Sequence, residues 1–242
     1  MKLNDALVKA LMSLDVRYIF GFSGANIEPL HDAIYRLGAG KLRLIMARSE
    51  DGAAFMADCH ARVHHTLGVC CSTSGEGMMN LLAGIAESYT ELVPVLALVG
   101  QPPSNLEGKG AFQDSSGVGR TVDSIKLWGT VAKYVAKITN PEDFWYHLTE
   151  ALKAAYSGRP GPAVLLFPRN VFEHEVNSCP QNWVNQISRF IYPTPVTSDM
   201  VRPLFEEIRQ AKNPVLVVGQ GVICTACVQC VNNSSLSRDW NV

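Results

Sequence analysis

The sequence predicts an α/β protein with a doubly wound, mainly parallel sheet and helices on both faces. Three observations predict it. Apolar runs of strand length alternate with stretches of helical periodicity. The runs are near-continuous rather than alternating, as strands covered on both faces require. Polar, glycine-bearing turns follow several of the strands, at the sheet edge where such folds bind ligands. The chain of 242 residues is 47% hydrophobic and 18% charged, enough apolar matter for a large core and too ordered a balance for a disordered chain.

In chain order, residues 4–13 carry Ala6, Leu7, Ala10 and Leu11 at helical spacing, with Asn4 expected as the cap. A strand at 16–22 follows, then helix 27–37, strand 42–47, helix 51–63, strand 67–72, helix 78–90 and strand 94–99. LRLIMA, LGVCCS and PVLALVG are the clearest apolar runs. Residues 101–121 form a Gly- and Ser-containing loop without period, and a loop of that length is usually functional. A strand around 130–138, a helix over 141–156 with Pro141 in its first turn and a strand at 163–167 complete the first domain, 1–172. Residues 173–197, punctuated by Pro180, Pro193 and Pro195, read as a linker. Residues 198–221, a helix at 199–210 and the run PVLVVGQG, read as the opening of a second α/β domain, and 222–242 as an irregular tail without a core of its own.

Lys+Arg 21 against Asp+Glu 22 gives a net charge of −1, and the absence of a basic stripe argues against nucleic acid as a partner. The first twenty residues are broken by Asp5, Lys9, Asp15 and Arg17, so neither a signal peptide nor a membrane span is expected, and a cytoplasmic location is the default. Seven cysteines suggest reduced thiols rather than a disulfide framework. Cys224, Cys227 and Cys230 have the spacing that opens an iron–sulfur site, but no fourth ligand follows them, so no metal is expected there.

Glu50 opens a helix directly after a strand, at the edge where ligands bind. Read alone, the pattern favours a first-turn carboxylate that complements the helix dipole. Residues 72–77, Ser-Thr-Ser-Gly-Glu-Gly, join a strand to a helix, and their glycines let backbone amides approach a ligand. They lack the spacing of a dinucleotide fingerprint.

Together, Phe20-Gly21-x-Ser23-Gly24, Arg48-Ser49-Glu50-Asp51-Gly52-Ala53-Ala54, Thr73-Ser74-Gly75-x-Gly77-x-x-Asn80, Val93-Pro94-Val95, Gly110-Ala111-Phe112-Gln113-Asp114 and Ser157-Gly158-Arg159-Pro160-Gly161-Pro162 closely resemble the acetolactate synthase family of thiamine diphosphate enzymes, over roughly residues 1–172 and in the family's order. The resemblance implies the pyrimidine-binding domain of a large subunit. It makes Glu50 the glutamate that hydrogen-bonds N1′ of the aminopyrimidine, with Gly24, Ser74, Gly75 and Asn80 also beside the cofactor. It places Phe112 and Gln113 near the reacting centre, Gln113 offering an amide donor to a 2-oxo acid such as pyruvate. An apolar wall from Ala53 and Ala54 would keep the Glu50 carboxyl able to give a proton. The family lysine after this loop corresponds to Lys126 or to Lys133.

Departures are also visible. Ser49 stands where the family often has His, Glu76 interrupts the usual Gly-Pro-Gly, and Glu91 replaces Asp. No Gly-Asp-Gly segment occurs in the sequence, so Mg²⁺ and the diphosphate would be held by a missing domain, supplied by a second subunit of the same or a related chain. FAD belongs to some full-length relatives and draws no support from these residues. The activity implied is decarboxylation of a 2-oxo acid and ligation of the resulting carbanion to an acceptor. The alternative is a noncatalytic remnant or subunit-interaction module.

Overall fold

Six strands form one sheet, and every neighbouring pair runs parallel. The computed structural model describes residues 1–191, 197–215, 217 and 219. The first compact unit is Met1–Ile191. In chain order its main elements are α1 (Leu3–Ser13), β1 (Tyr18–Gly21), α2 (Glu28–Leu37), β2 (Arg43–Met46), α3 (Glu50–His64), β3 (Gly68–Ser72), α4 (Glu76–Thr90), β4 (Val95–Gln101), α5 (Ser124–Trp128), β5 (Tyr134–Lys137), α6 (Phe144–Tyr156), β6 (Ala163–Pro168), α7 (Arg169–Phe172) and α8 (Trp183–Ile191). The sheet order is β2-β1-β3-β4-β6-β5.

Side chains of a strand point alternately to its two faces, and each central strand divides accordingly. Leu96 and Leu98 of β4, with Ala163, Leu165 and Phe167 of β6, join α1, α2, α6, α7 and α8 in one core. Val95, Ala97 and Val99, with Val164 and Leu166, join α3, α4 and Trp128 in the other. This two-sided burial explains why the sequence of β3, β4 and β6 is apolar throughout. β2 differs from the fully covered strand expected at 42–47. It has one neighbour, and its Arg43 and Met46 are exposed.

Asn4 is not a cap. It lies inside α1, buried, and its Nδ2 donates to Pro29 O at 2.8 Å, tying α1 to the start of α2. The helix expected over 141–156 begins with a tight 3-10 turn, Pro141–Asp143, capped by the Asn140 side chain accepting from Glu142 N. The segment expected as a linker holds α8, whose Trp183 and Ile187 are buried in the first core. Trp183 packs edge-on against Trp145 at 5.2 Å and donates its Nε1–H to Thr149 Oγ1 at 2.8 Å. The second unit contains α9 (Ser198–Gln210), close to the helix expected at 199–210, with Pro203 inside it. Residues 192–196 of the expected linker, the expected run through Gly221 apart from Pro214, Val215, Val217 and Gly219, and the whole tail with Cys224, Cys227 and Cys230 lie outside the described residues.

Candidate functional site

Because every strand is parallel, the turns after β1, β2, β3 and β4 share one edge of the sheet. β1 and β3 are neighbours, but the helices that follow them pack on opposite faces, α2 in the first core and α4 in the second. Such a switch point opens a crevice between the two turns. Here Asn26 closes the base of that crevice. Its backbone N–H donates to Thr73 Oγ1 at 3.2 Å and its Nδ2 to Ser74 Oγ at 2.7 Å. Gly24 fits against Thr73 only because it has no side chain, since a Cβ there would sit 2.5 Å from Thr73 Cβ. Gly24 and the buried Ser74 therefore join the two turns, and the Ser74 hydroxyl already has a protein partner. The sequence reading of both as cofactor contacts did not foresee this joint.

Glu50 is the first residue of α3, half-buried at this edge. Its Oε2 accepts from Asn80 Nδ2 of α4 at 3.1 Å, so Glu50 and Asn80 are brought together. Gly77 leaves room for the carboxylate, because a Cβ there would lie 3.1 Å from Glu50 Oε1. Ala53 and Ala54 are fully buried below, but the carboxyl group itself is not enclosed by an apolar wall among the described residues, contrary to the expectation. Two features fix the helix pair that carries Glu50 and Asn80. Gly84 admits Ala54 at a distance no larger residue would allow, and the buried Asp58 of α3 accepts from Arg62 at 2.5 Å and from Ser88 of α4 at 2.7 Å. The Ser49 hydroxyl, with help from the Gly52 N–H, holds the Asp51 carboxyl below the usual carboxylate range.

Gln113 sits in the long loop with φ +57°, a left-handed conformation that is costly outside glycine and concentrated at functional sites. Its Oε1 accepts from Thr73 Oγ1 at 3.4 Å, and its Nε2 donates to Glu76 Oε2 at 3.3 Å. Gly75, also at positive φ (+63°), lets Gln113 approach, since a Cβ there would stand 2.8 Å from Gln113 Cβ. Several contacts pin the loop: Lys137 at the carboxyl end of β5 pairs with Glu107, Ser115 Oγ donates to the buried Gln101 at 2.8 Å, and Asp114 accepts from Gly108 N at 2.7 Å. Burial pushes the Asp114 carboxyl up, but the Gly108 and Ser116 hydrogen bonds and the Lys137 charge outweigh it, and the group titrates below its ordinary value. Phe112 is 73% exposed and packs against no core.

A cleft of about 410 Å³ lies against this loop, lined by Gly75, Glu76, Met79, Asn80, Gln113 and Arg120 among others. Glu50 is not among its lining residues and joins it through Asn80. Of the two candidate lysines, Lys133 precedes β5 at the opposite edge of the sheet and donates to the carbonyls of Ala154 and Ser157. Burial pushes its amine down. Lys126 is exposed on α5 and pairs with Asp123 at 2.9 Å. Neither reaches the cleft lining. Among the described residues, no three His, Cys, Asp or Glu side chains converge to hold a metal ion, and no helix is long and apolar enough to cross a membrane. Sequence reasoning missed Asn26, Lys137 and Arg120. Asn26 carried one signal, a polar residue just before an apolar helix at the switch point.

Residues 1–119 match the family model described as thiamine pyrophosphate enzyme, N-terminal TPP binding domain. The chain is 34% identical over 236 residues to a probable acetolactate synthase large subunit of Methanocaldococcus jannaschii, covering 92% of this chain and 36% of that protein. It is 35% identical over 221 residues to the acetolactate synthase large subunit of Corynebacterium glutamicum, covering 90% of this chain and 33% of that one. The chain thus spans about a third of the length of these relatives. In fold it is similar to the thiamine diphosphate-dependent 4-hydroxybenzoylformate decarboxylase of Rhodococcus jostii RHA1, with a TM-score of 0.79 at 20% identity, over 93% of this chain and 41% of that one.

Proposed function

We propose that this chain, whose residues 1–119 match the model of the N-terminal thiamine pyrophosphate binding domain, supplies the aminopyrimidine-binding half of an acetolactate synthase-like active site. The observation that carries the reading is the Glu50 carboxylate at the start of α3, oriented by Asn80 and given room by Gly77 at the carboxyl edge of the sheet. A carboxyl group in that place can share a proton with a ring nitrogen, as N1′ of the aminopyrimidine requires. The residues present fit that group: an acceptor and proton donor on α3, a small residue opposite, and a packed helix pair that resists displacement. Bound there, thiamine diphosphate supplies the carbanion chemistry of 2-oxo acid decarboxylation and carboligation.

Gln113 then directs an amide N–H toward the oxygen of a 2-oxo acid such as pyruvate in the adjoining cleft. Mg²⁺ and the diphosphate are held by a second subunit, of the same or a related chain. Exposed apolar side chains on the α3–α4 pair, Phe55, Met56 and Met79, support a protein partner on this face, and such contact would complete the burial that the Glu50 carboxyl lacks within one protomer. Those same side chains equally favour the second reading, an interaction module without turnover. The place of action we assign is the cytoplasm.

Adding the chain to an acetolactate synthase subunit whose own pyrimidine-binding glutamate is replaced separates the readings. Acetolactate formation from pyruvate that is restored by the wild type and not by Glu50→Ala supports the enzyme. Co-assembly without restored turnover supports the interaction module.

A further inference from the structure

We propose that Glu76 is a positioning residue that locks the orientation of the Gln113 amide, holding its NH₂ group rather than its carbonyl toward the cleft. The Gln113 amide is the middle link of one hydrogen-bonded chain. At the inner end, the Thr73 hydroxyl accepts the Asn26 backbone N–H at 3.2 Å, which leaves its own hydrogen to donate to Gln113 Oε1 at 3.4 Å. At the outer end, Glu76 Oε2 lies 3.3 Å from Gln113 Nε2. A carboxylate only accepts, whereas an amide presents two donors at nitrogen and acceptors at oxygen. Flipping the Gln113 amide would set its oxygen against the Glu76 carboxylate, two acceptors with no hydrogen between them.

The lock works because the backbone that carries the amide is held. Gln113 is held at φ +57° against Gly75, which has no side chain to push it away. Ser115 and Asp114, the next residues, are tied to Gln101 and to the Gly108 N–H. One N–H of the amide is spent on Glu76, and the other remains for a ligand in the cleft that both residues line. Proline, the residue the resemblance leads one to expect at position 76, has no side-chain acceptor. Glu76 therefore does in this chain what a proline could not, and it favours ligands that bring a hydrogen-bond acceptor, such as the oxygen of a 2-oxo acid. This last step rests on the functional reading of Gln113 given above.

The other charged groups near Glu76 are Asp114 and Arg120, which also line the cleft, and Glu50, one hydrogen bond beyond Asn80. The test must separate Glu76 from each of them. In the full chain labelled with ¹⁵N, the Gln113 side-chain NH₂ resonance, assigned by its loss in Gln113→Glu, is followed through the acid titration. We expect it to move as Glu76 protonates, to stop moving in Glu76→Gln, and to move as before in Glu50→Gln, Asp114→Asn and Arg120→Ala. A resonance that titrates unchanged in Glu76→Gln, or that follows one of the other three groups, overturns the lock. Pyruvate is then added in the presence of thiamine diphosphate. We expect it to shift the same resonance, with apparent affinity about twofold weaker in Glu76→Gln, where both amide orientations are open and about half the population presents its NH₂ group. If pyruvate moves nothing while the titration behaves as expected, the substrate reading fails and the lock stands.

Discussion

Gly77→Ala tests the room that the site reserves for its carboxylate. Gly77 is the second residue of α4, in ordinary helical backbone, so alanine favours the helix itself by about 0.5–1 kcal/mol. The added methyl, however, would stand 2.8 Å from Thr73 Cγ2, 2.9 Å from Ser72 Oγ and 3.1 Å from Glu50 Oε1. Thr73 and Ser72 are buried, Thr73 bonded to the Asn26 N–H and Ser72 to Thr73 O, so they yield little, and overpacking of this kind costs about 1–3 kcal/mol. The balance is a net loss of roughly 1 kcal/mol. Glu50 is the flexible neighbour and takes up most of the displacement, away from Asn80. Urea denaturation reads the stability, and thiamine titration reads the site. Losing a hydrogen bond to a charged group costs about 1.5–3 kcal/mol, so binding should weaken at least tenfold. A variant as stable as the wild type that binds thiamine equally well would refute the crowding argument.

Three further outcomes follow from the structure. Trp183→Ala removes a fully enclosed ring and its bond to Thr149 and should cost about 3–5 kcal/mol, read as a lower urea midpoint; an unchanged midpoint would show that α8 is not part of the first core. Burial pushes the Cys71 thiol up to about 12 and holds the Cys70 thiol well above its ordinary value, so at pH 8 alkylation mapped by peptide mass spectrometry should mark the exposed Cys59 and spare Cys70 and Cys71 until the chain is unfolded; early labelling of either would contradict their burial. Asp114 titrates below its ordinary value in the folded chain, so it binds protons more readily when unfolded, contributes stability above the ordinary aspartate range and loses it as pH falls through the lower folded value. The Gly108 and Ser116 amide resonances should report that low midpoint and lose it in Asp114→Asn; a midpoint at or above that of a free aspartate would be the wrong sign.

The sheet was legible because burial on both faces forces β3, β4 and β6 to be apolar throughout, and a helix between each pair forces them to be parallel. Glu50 and Asn80 were singled out through motif order alone, and no local pattern announced that Asn80 would donate to the Glu50 carboxylate. α8 was not: only Trp183 and Ile187 of its nine residues are buried, and the prolines before and after it suggested a linker. The exposure of the Glu50 carboxyl depends on which surfaces meet it in three dimensions, which no spacing encodes. The same holds for Ser74 and Gly24, whose partners Asn26 and Thr73 lie far away in the chain or are fixed by a turn whose shape the sequence does not spell out. Lys126 and Lys133 show the limit most plainly. Counting along the chain leaves both open, while the sheet places Lys133 at the wrong edge.

The central claim is that this chain grips the aminopyrimidine through Glu50. Calorimetric titration of the full chain with thiamine and, separately, with thiamine diphosphate and Mg²⁺ tests it most directly. We predict saturable binding of both with similar affinity, because the pyrimidine is the part held, and loss of both in Glu50→Ala. Binding that needs the diphosphate, or that survives Glu50→Ala unchanged, would contradict the account.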